Sequence, residues 1–208
     1  MTLVAALLLA LALQSGDIIS TAMARYDAVK SYQVTLRSES RDSSEVIHYF
    51  YKRPGFVRME FVTPHRGAVL AYDPLKKVVA LRPFGFLKPF VLRLNPDNRV
   101  VKSSKGHRVD QSDIGFLLRL AQELERDGVT EVVGEEAVGD RGAIHIRVTG
   151  EGGTVVRGEI NGYSLWLDRE LLLPIKVISY DSAGGVIEEV VMDDLEVNTI
   201  MADDLFDL

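Results

Sequence analysis

The chain has 208 residues, 47% of them apolar and 26% charged, with a net charge of -6 and no cysteine. That is enough apolar material for one packed core. It excludes a disordered or fibrous chain, a disulfide framework and a thiolate metal site. The charge is polarised: residues 52–108 hold thirteen Lys and Arg against Glu60, Asp73 and Asp97, a balance of +10 that leaves -16 for the rest. Such a region attracts anionic lipid head groups or an acidic partner, or it forms the solvated outer faces of successive strands. Nucleic acid is not expected, because the whole chain is acidic and carries no recognised binding motif.

The first thirteen residues, MTLVAALLLALAL, carry no charge, and Ala10-Leu11-Ala12 has the small-x-small pattern of a signal-peptidase site. The run is shorter than the roughly 20 residues that span a bilayer. Residues 1–12 therefore read as an export signal, although a basic n-region is missing and a buried N-terminal helix is the alternative. Residues 13–208 are expected to form one exported, soluble domain, acting as a monomer in the periplasm. From Asp17 to Lys30, Ile18, Ile19, Ala22, Met23, Tyr26 and Val29 recur at helical spacing behind Asp17 as N-cap candidate.

The period then changes to two. Tyr32, Val34 and Leu36 alternate with polar residues up to the turn Arg41-Asp42-Ser43-Ser44. The next strand, Glu45 to Arg53, is apolar on both faces: Ile47, Tyr49 and Tyr51 point one way, Val46, His48 and Phe50 the other. Strands are expected at 57–62, 68–72 and 77–81, with turns at Thr63-Pro64-His65 and Asp73-Pro74. Prolines at 83 and 89 forbid a central strand between them, so residues 82–94 read as an aromatic loop with basic residues. Over 112–126, Ile114, Leu117, Leu118, Ala121 and Leu124 form the stripe of a second helix that Gly128 can end. Alternation returns at 130–138, 143–149, 156–168, 173–181 and 185–197, with hairpin turns at Gly139-Asp140-Arg141-Gly142 and Ser182-Ala183-Gly184-Gly185. Ten or eleven short antiparallel strands and two helices predict an α+β fold, mainly antiparallel β. The sheet is expected to be highly curved or an incomplete barrel.

Catalytic chemistry finds no seat. His48, His65, His107 and His145 lack ligand spacing, and no nucleophile elbow or phosphate-cradling loop is present. Asp193-Asp194 and Asp203-Asp204 lack the alternating spacing that wraps calcium. No enzyme activity, metal or cofactor is expected. What remains is a surplus of apolar strand faces. An antiparallel sheet normally wets one side, so either both faces are covered or one lines a cavity able to hold acyl chains. An ordinary filled core is the alternative.

YKRPGFVRMEFVTP, residues 51–64, resembles the first-hairpin motif of the LolA-like family of periplasmic outer-membrane lipoprotein carriers. SLWLDRELLLPIKVISYDSAGGVIEEVVMDDLEVN, followed by DDLF, is similar to that family's closing hairpins, and the likeness spans roughly residues 17–208. Two departures stand out: Asp73-Pro74 replaces an Asp-Gly turn, and Leu172 stands where a Gly is usual. The resemblance implies a half-closed barrel with a helical lid over a hydrophobic cavity. It implies binding and transfer of lipoprotein or lipid acyl chains to the outer membrane; the basic charge of residues 52–108 adds a membrane receptor or an anionic membrane surface as expected further partner. Arg53 inherits the lid-contacting role: it lies two residues beyond Tyr51, on the same face, and its five donors can hold orphan carbonyls of a lid helix. Ile47, Tyr49, Tyr51, Val57, Met59 and Phe61 would line the cavity, with Ile114, Leu117, Leu118 and Leu124 as the underside of the lid. The second reading of the same scaffold is a periplasmic sensor or adaptor that binds a protein partner.

Overall fold

The computed structural model describes residues 18–84, 90–103 and 106–208. The expected export signal and the Asp17 cap therefore lie outside the described residues. Helix α1 is Ile18–Asp27, with Ile18, Ile19, Ala22 and Tyr26 buried at the spacing the sequence predicts. Five strands follow: β1 (Ser31–Ser40), β2 (Ser44–Lys52), β3 (Phe56–Thr63), β4 (Val69–Asp73) and β5 (Val78–Arg82). Next come β6 (Leu92–Leu94), helix α2 (Ile114–Arg126), β7 (Gly128–Val138), β8 (Arg141–Gly150), β9 (Gly162–Asp168), β10 (Pro174–Tyr180) and β11 (Val186–Val197). The fold is α+β. Its antiparallel sheet runs β6-β5-β4-β3-β2-β1-β11-β10-β9-β8-β7 and is not closed, β6 and β7 being its ends.

Two compact units divide the chain, one comprising the residues up to Asp27 with Leu118–Val186, the other Ala28–Leu117 with Ile187–Leu208. In the second unit, the period-2 pattern of β1 and β2 buries one face more than the other, whereas β4 is buried on both. In the first, β9 is buried along its whole length and supplies Leu165 and Leu167 to a core shared with Ile146 and Val148 of β8.

Several sequence expectations are corrected. Within the expected 82–94 loop, residues 85–89 lie outside the described residues, but Leu92–Leu94 pair with β5 as an edge strand. An edge position suits a segment that follows Pro89, since only one side of the strand must find partners. The expected strand 156–168 begins only at Gly162. Before it the chain reverses, Arg157 and Gly158 taking φ of 49° and 83°, and only Val156 and Ile160 form a bridge. Asn161 pins this turn by donating from Nδ2 to the carbonyls of Gly150 and Thr154. Gly128 opens β7 rather than serving only to end α2. An added Cβ there would collide with the Thr149 carbonyl and fall 2.6 Å from that of Leu124, so close backbone approach demands glycine.

The second face of β2 is not sealed: Val46 and Phe50 are half-buried and His48 is exposed. On β3 and β4 the same face is partly covered by the C-terminal segment. A short 3-10 helix at Asp203–Phe206 buries Phe206, whose ring lies 5.8 Å from that of Phe56. Arg58 Nη1 donates to the Leu205 carbonyl at 2.7 Å, and Lys52 pairs with Asp203 at 2.6 Å.

Candidate functional site

The strand register of the second unit assembles the expected lining residues on one face. Tyr32, Tyr51, Val57, Tyr72, Val79 and Leu94 form one cross-strand row from β1 to β6. Val34, Tyr49, Met59, Leu70, Leu81 and Leu92 form the next, and Leu36, Ile47 and Phe61 begin a third. Because side chains alternate with period two, these rows share a side of the sheet, and every member is apolar or tyrosine. Burial is graded along the face. Tyr32, Tyr51, Val57 and Val79 are fully buried. Leu36, Met59, Phe61 and Leu81 are only half-buried, and Leu92 is 44% exposed. Water thus reaches one end of an apolar surface that is six strands wide.

The closed end is held by hydroxyls. Tyr32 stacks on Tyr49 and Tyr51, with ring centroids 5.8 and 4.9 Å away. The Ile114 amide, an orphan donor of the first turn of α2, donates to Tyr32 Oη at 3.2 Å. Ser112 Oγ donates to the Val109 carbonyl at 2.7 Å, so at the 3.0 Å contact between Tyr49 Oη and Ser112 Oγ the tyrosine supplies the proton. Burial, outweighing the hydrogen bonds with Ser112 and Tyr32, pushes the Tyr49 hydroxyl well above the ordinary tyrosine range. Asp113 caps the helix, its Oδ1 accepting from the Phe116 amide at 3.0 Å. Sequence reasoning missed Tyr32, Ser112 and Asp113 as the anchor of α2. Ser112-Asp113 ahead of an apolar run was the available signal; the role of Tyr32 depends on a residue 82 positions away.

Of the expected underside of α2, Ile114, Leu118 and Leu124 are buried and Leu117 is half-buried. Leu124 packs within the first unit, its Cδ2 lying 3.0 Å from where a Cβ on Gly150 would sit. Arg53 is exposed. Its Nε donates to the Val29 carbonyl at 2.7 Å and its amide to the Lys30 carbonyl at 2.9 Å, two carbonyls just beyond the end of α1 in the chain.

In the first unit, Gly134, His145, Trp166 and Lys176 lie in one cross-strand row. His145 stacks on Trp166 at 4.1 Å, and Lys176 Nζ lies 5.0 Å from the indole centroid. Glu136 binds both rings, accepting from Trp166 Nε1 at 2.8 Å and contacting His145 Nδ1 at 3.0 Å. Those two bonds, with the charge of Lys176 adding less, hold its carboxyl below the ordinary glutamate range. Among the described residues no group of three or more His, Asp or Glu is placed to hold a metal.

No protein-family model matches the chain. No curated protein matches it either. Solved structures do. An uncharacterised conserved protein from Thermus thermophilus aligns over 93% of both chains, at 12% identity and a TM-score of 0.57. MucB, in its Pseudomonas aeruginosa complex with MucA, aligns with 93% of this chain at 18% identity and a TM-score of 0.59. The present chain spans only 60% of MucB. The Mycobacterium tuberculosis lipoprotein LppX aligns over 91% of this chain and 98% of its own, at 9% identity and a TM-score of 0.57. At such identities the likeness is one of fold. What is shared is an open antiparallel sheet with two helices.

Proposed function

We propose that this chain is an exported binding and transfer protein that houses the acyl chains of lipoproteins or lipids on the apolar face of its second unit and delivers them to the outer membrane. The observation that supports the reading is the graded face of β1–β6. Leu36, Met59, Phe61 and Leu81 remain half-buried although they continue rows that are fully buried elsewhere. Covering such a surface with a hydrocarbon tail releases water at no cost in hydrogen bonds, and each buried methylene contributes about 0.8 kcal/mol. Helix α2 is the cover in this scheme, with Ile114 and Leu117 toward the guest. Arg53 is its proposed contact from below, a guanidinium whose Nε donates to the Val29 carbonyl. The proposed carrier works in the periplasm after removal of residues 1–12; among the described residues no helix is long and apolar enough to cross a membrane.

A second reading has its own support. MucB shares the fold and forms a complex with MucA; a sensor or adaptor would use this scaffold to bind a protein instead. One experiment separates the two. Protein purified from cells is extracted and its lipids identified by mass spectrometry, then the delipidated protein is titrated with a fluorescent acyl probe. A carrier yields copurified lipid and binds the probe, and Met59→Asp, which puts a charge into the middle of the face, weakens binding at least tenfold. A lipid-free protein that ignores the probe and captures a protein partner in a salt-sensitive manner supports the adaptor reading and ends the first.

A further inference from the structure

The start of β4, the end of β5 and the start of β6 lie at the same end of the sheet, beside the half-buried part of the apolar face. Val69, which opens β4, pairs with Arg82, which ends β5, and Leu81 pairs with Leu92 at the start of β6. Aromatic rings gather there in the open. His65 lies edge-on to Phe61 at 6.3 Å and stacks on Phe84 at 5.2 Å. Phe84 is 52% exposed and Phe90 61%. Two phenylalanines this accessible are unusual on a surface that meets only water, and they mark a site of association. The carboxylate in the row of Arg82, Glu60, is already paired with Arg58 at 2.7 Å. Arg66 lies on the β3–β4 connection and the half-buried Arg82 ends β5, and neither forms an ion pair with another described residue.

We infer that this end of the sheet docks on an anionic lipid bilayer, with Phe84 and Phe90 entering the head-group region and Arg66 and Arg82 meeting lipid phosphates. Three observations favour a bilayer over a protein groove. Exposed rings flanked by uncompensated arginines match the layering of a membrane surface, apolar inside and anionic outside. The chain outside residues 52–108 carries a balance of -16 and is repelled by the same surface, so docking is oriented by charge. The patch is also continuous with the row Met59–Leu70–Leu81–Leu92, so the docked edge is where the apolar face opens. Docking goes beyond acyl-chain binding and is measured separately from it.

The test is sedimentation of the full chain with phosphatidylcholine vesicles, with and without phosphatidylglycerol. The protein is expected to pellet with phosphatidylglycerol-containing vesicles, less with phosphatidylcholine alone, and less as salt is raised. Arg66→Ser with Arg82→Ser is expected to lower the partition about tenfold or more, near fivefold for each arginine at an anionic surface. Phe84→Ser with Phe90→Ser is expected to lower it by a similar factor. Both pairs should leave the melting temperature and acyl-probe affinity unchanged, which separates a failure of docking from a failure of the carrier reading. Phe90→Trp supplies a readout that needs no loss of binding: its emission should shift to the blue on phosphatidylglycerol vesicles and be quenched by brominated lipid. Equal binding to both vesicle types, binding that survives both pairs, or an unshifted Phe90→Trp emission overturns the inference. So does crosslinking of Phe90 to a protein while vesicle binding stays absent.

Discussion

Glu136 accepts hydrogen bonds from Trp166 Nε1 and from His145 Nδ1, so its carboxylate is worth more folded than unfolded. The sign follows directly. Trp166 and then His145 lower its folded pKa, so this stabilisation is present above the unfolded glutamate value of about 4.3 and is lost as pH falls through the folded one. Because the side chain is 48% exposed, solvent screens the effect and keeps it small. Glu136→Gln keeps a carbonyl for the indole N–H but loses the charge. At neutral pH the variant should melt a few degrees lower than the parent, and the gap should narrow and close as pH falls below the unfolded glutamate value. Melting curves of the two proteins across pH 3–8 test this; a gap that stays constant, or widens in acid, means the carboxylate charge is not what holds the two rings.

At the scale of the element, α2 depends on groups that its own sequence does not contain. Leu118, Ala121 and Leu124 bury its stripe, but its first turn leaves amides that need outside acceptors. Tyr32 Oη takes the buried Ile114 amide. Tyr32→Phe removes that acceptor while keeping the ring stack, which leaves a buried donor unsatisfied at about 1–3 kcal/mol. Hydrogen exchange at Ile114 and Gly115 should speed up by about one to two orders of magnitude, while the amides of β8 and β9 keep their protection. Unchanged exchange at Ile114 shows that the hydroxyl does not anchor the helix. This anchor is also where sequence reading ran short. The period-2 rows of β1–β5 and the stripe of α2 were legible because burial on one face writes directly into residue spacing. The family resemblance expected a Gly where Leu172 stands, and Leu172 does adopt a left-handed φ of 55° there. The Tyr32–Ile114 and Tyr49–Ser112 bonds were not legible, since each joins residues more than sixty positions apart and depends on strand register. The late start of β9 was hidden too, because Val156 and Ile160 alternate with polar residues whether the chain extends or doubles back.

For the whole molecule, the rows that cross β1–β6 make a quantitative demand on any guest. A hydrocarbon tail lying along Met59, Phe61, Leu81 and Leu92 gains affinity with each methylene that it removes from water, until it runs past the apolar rows. At about 0.8 kcal/mol per methylene the gain is close to fourfold in affinity for each carbon added. Because such a guest binds only the folded chain, it also stabilises it, by about 2.7 kcal/mol at a free concentration one hundred times Kd. A series of single-chain amphiphiles that share one head group and differ only in chain length should therefore raise the melting temperature progressively, with log affinity climbing linearly and then levelling off. The length at the plateau measures how much of the face a guest can use. Met59→Asp should cut the slope without changing the response to head group. An affinity that does not vary with chain length, but follows head-group charge instead, assigns the binding to the arginines of residues 52–108 and leaves the apolar rows as ordinary core.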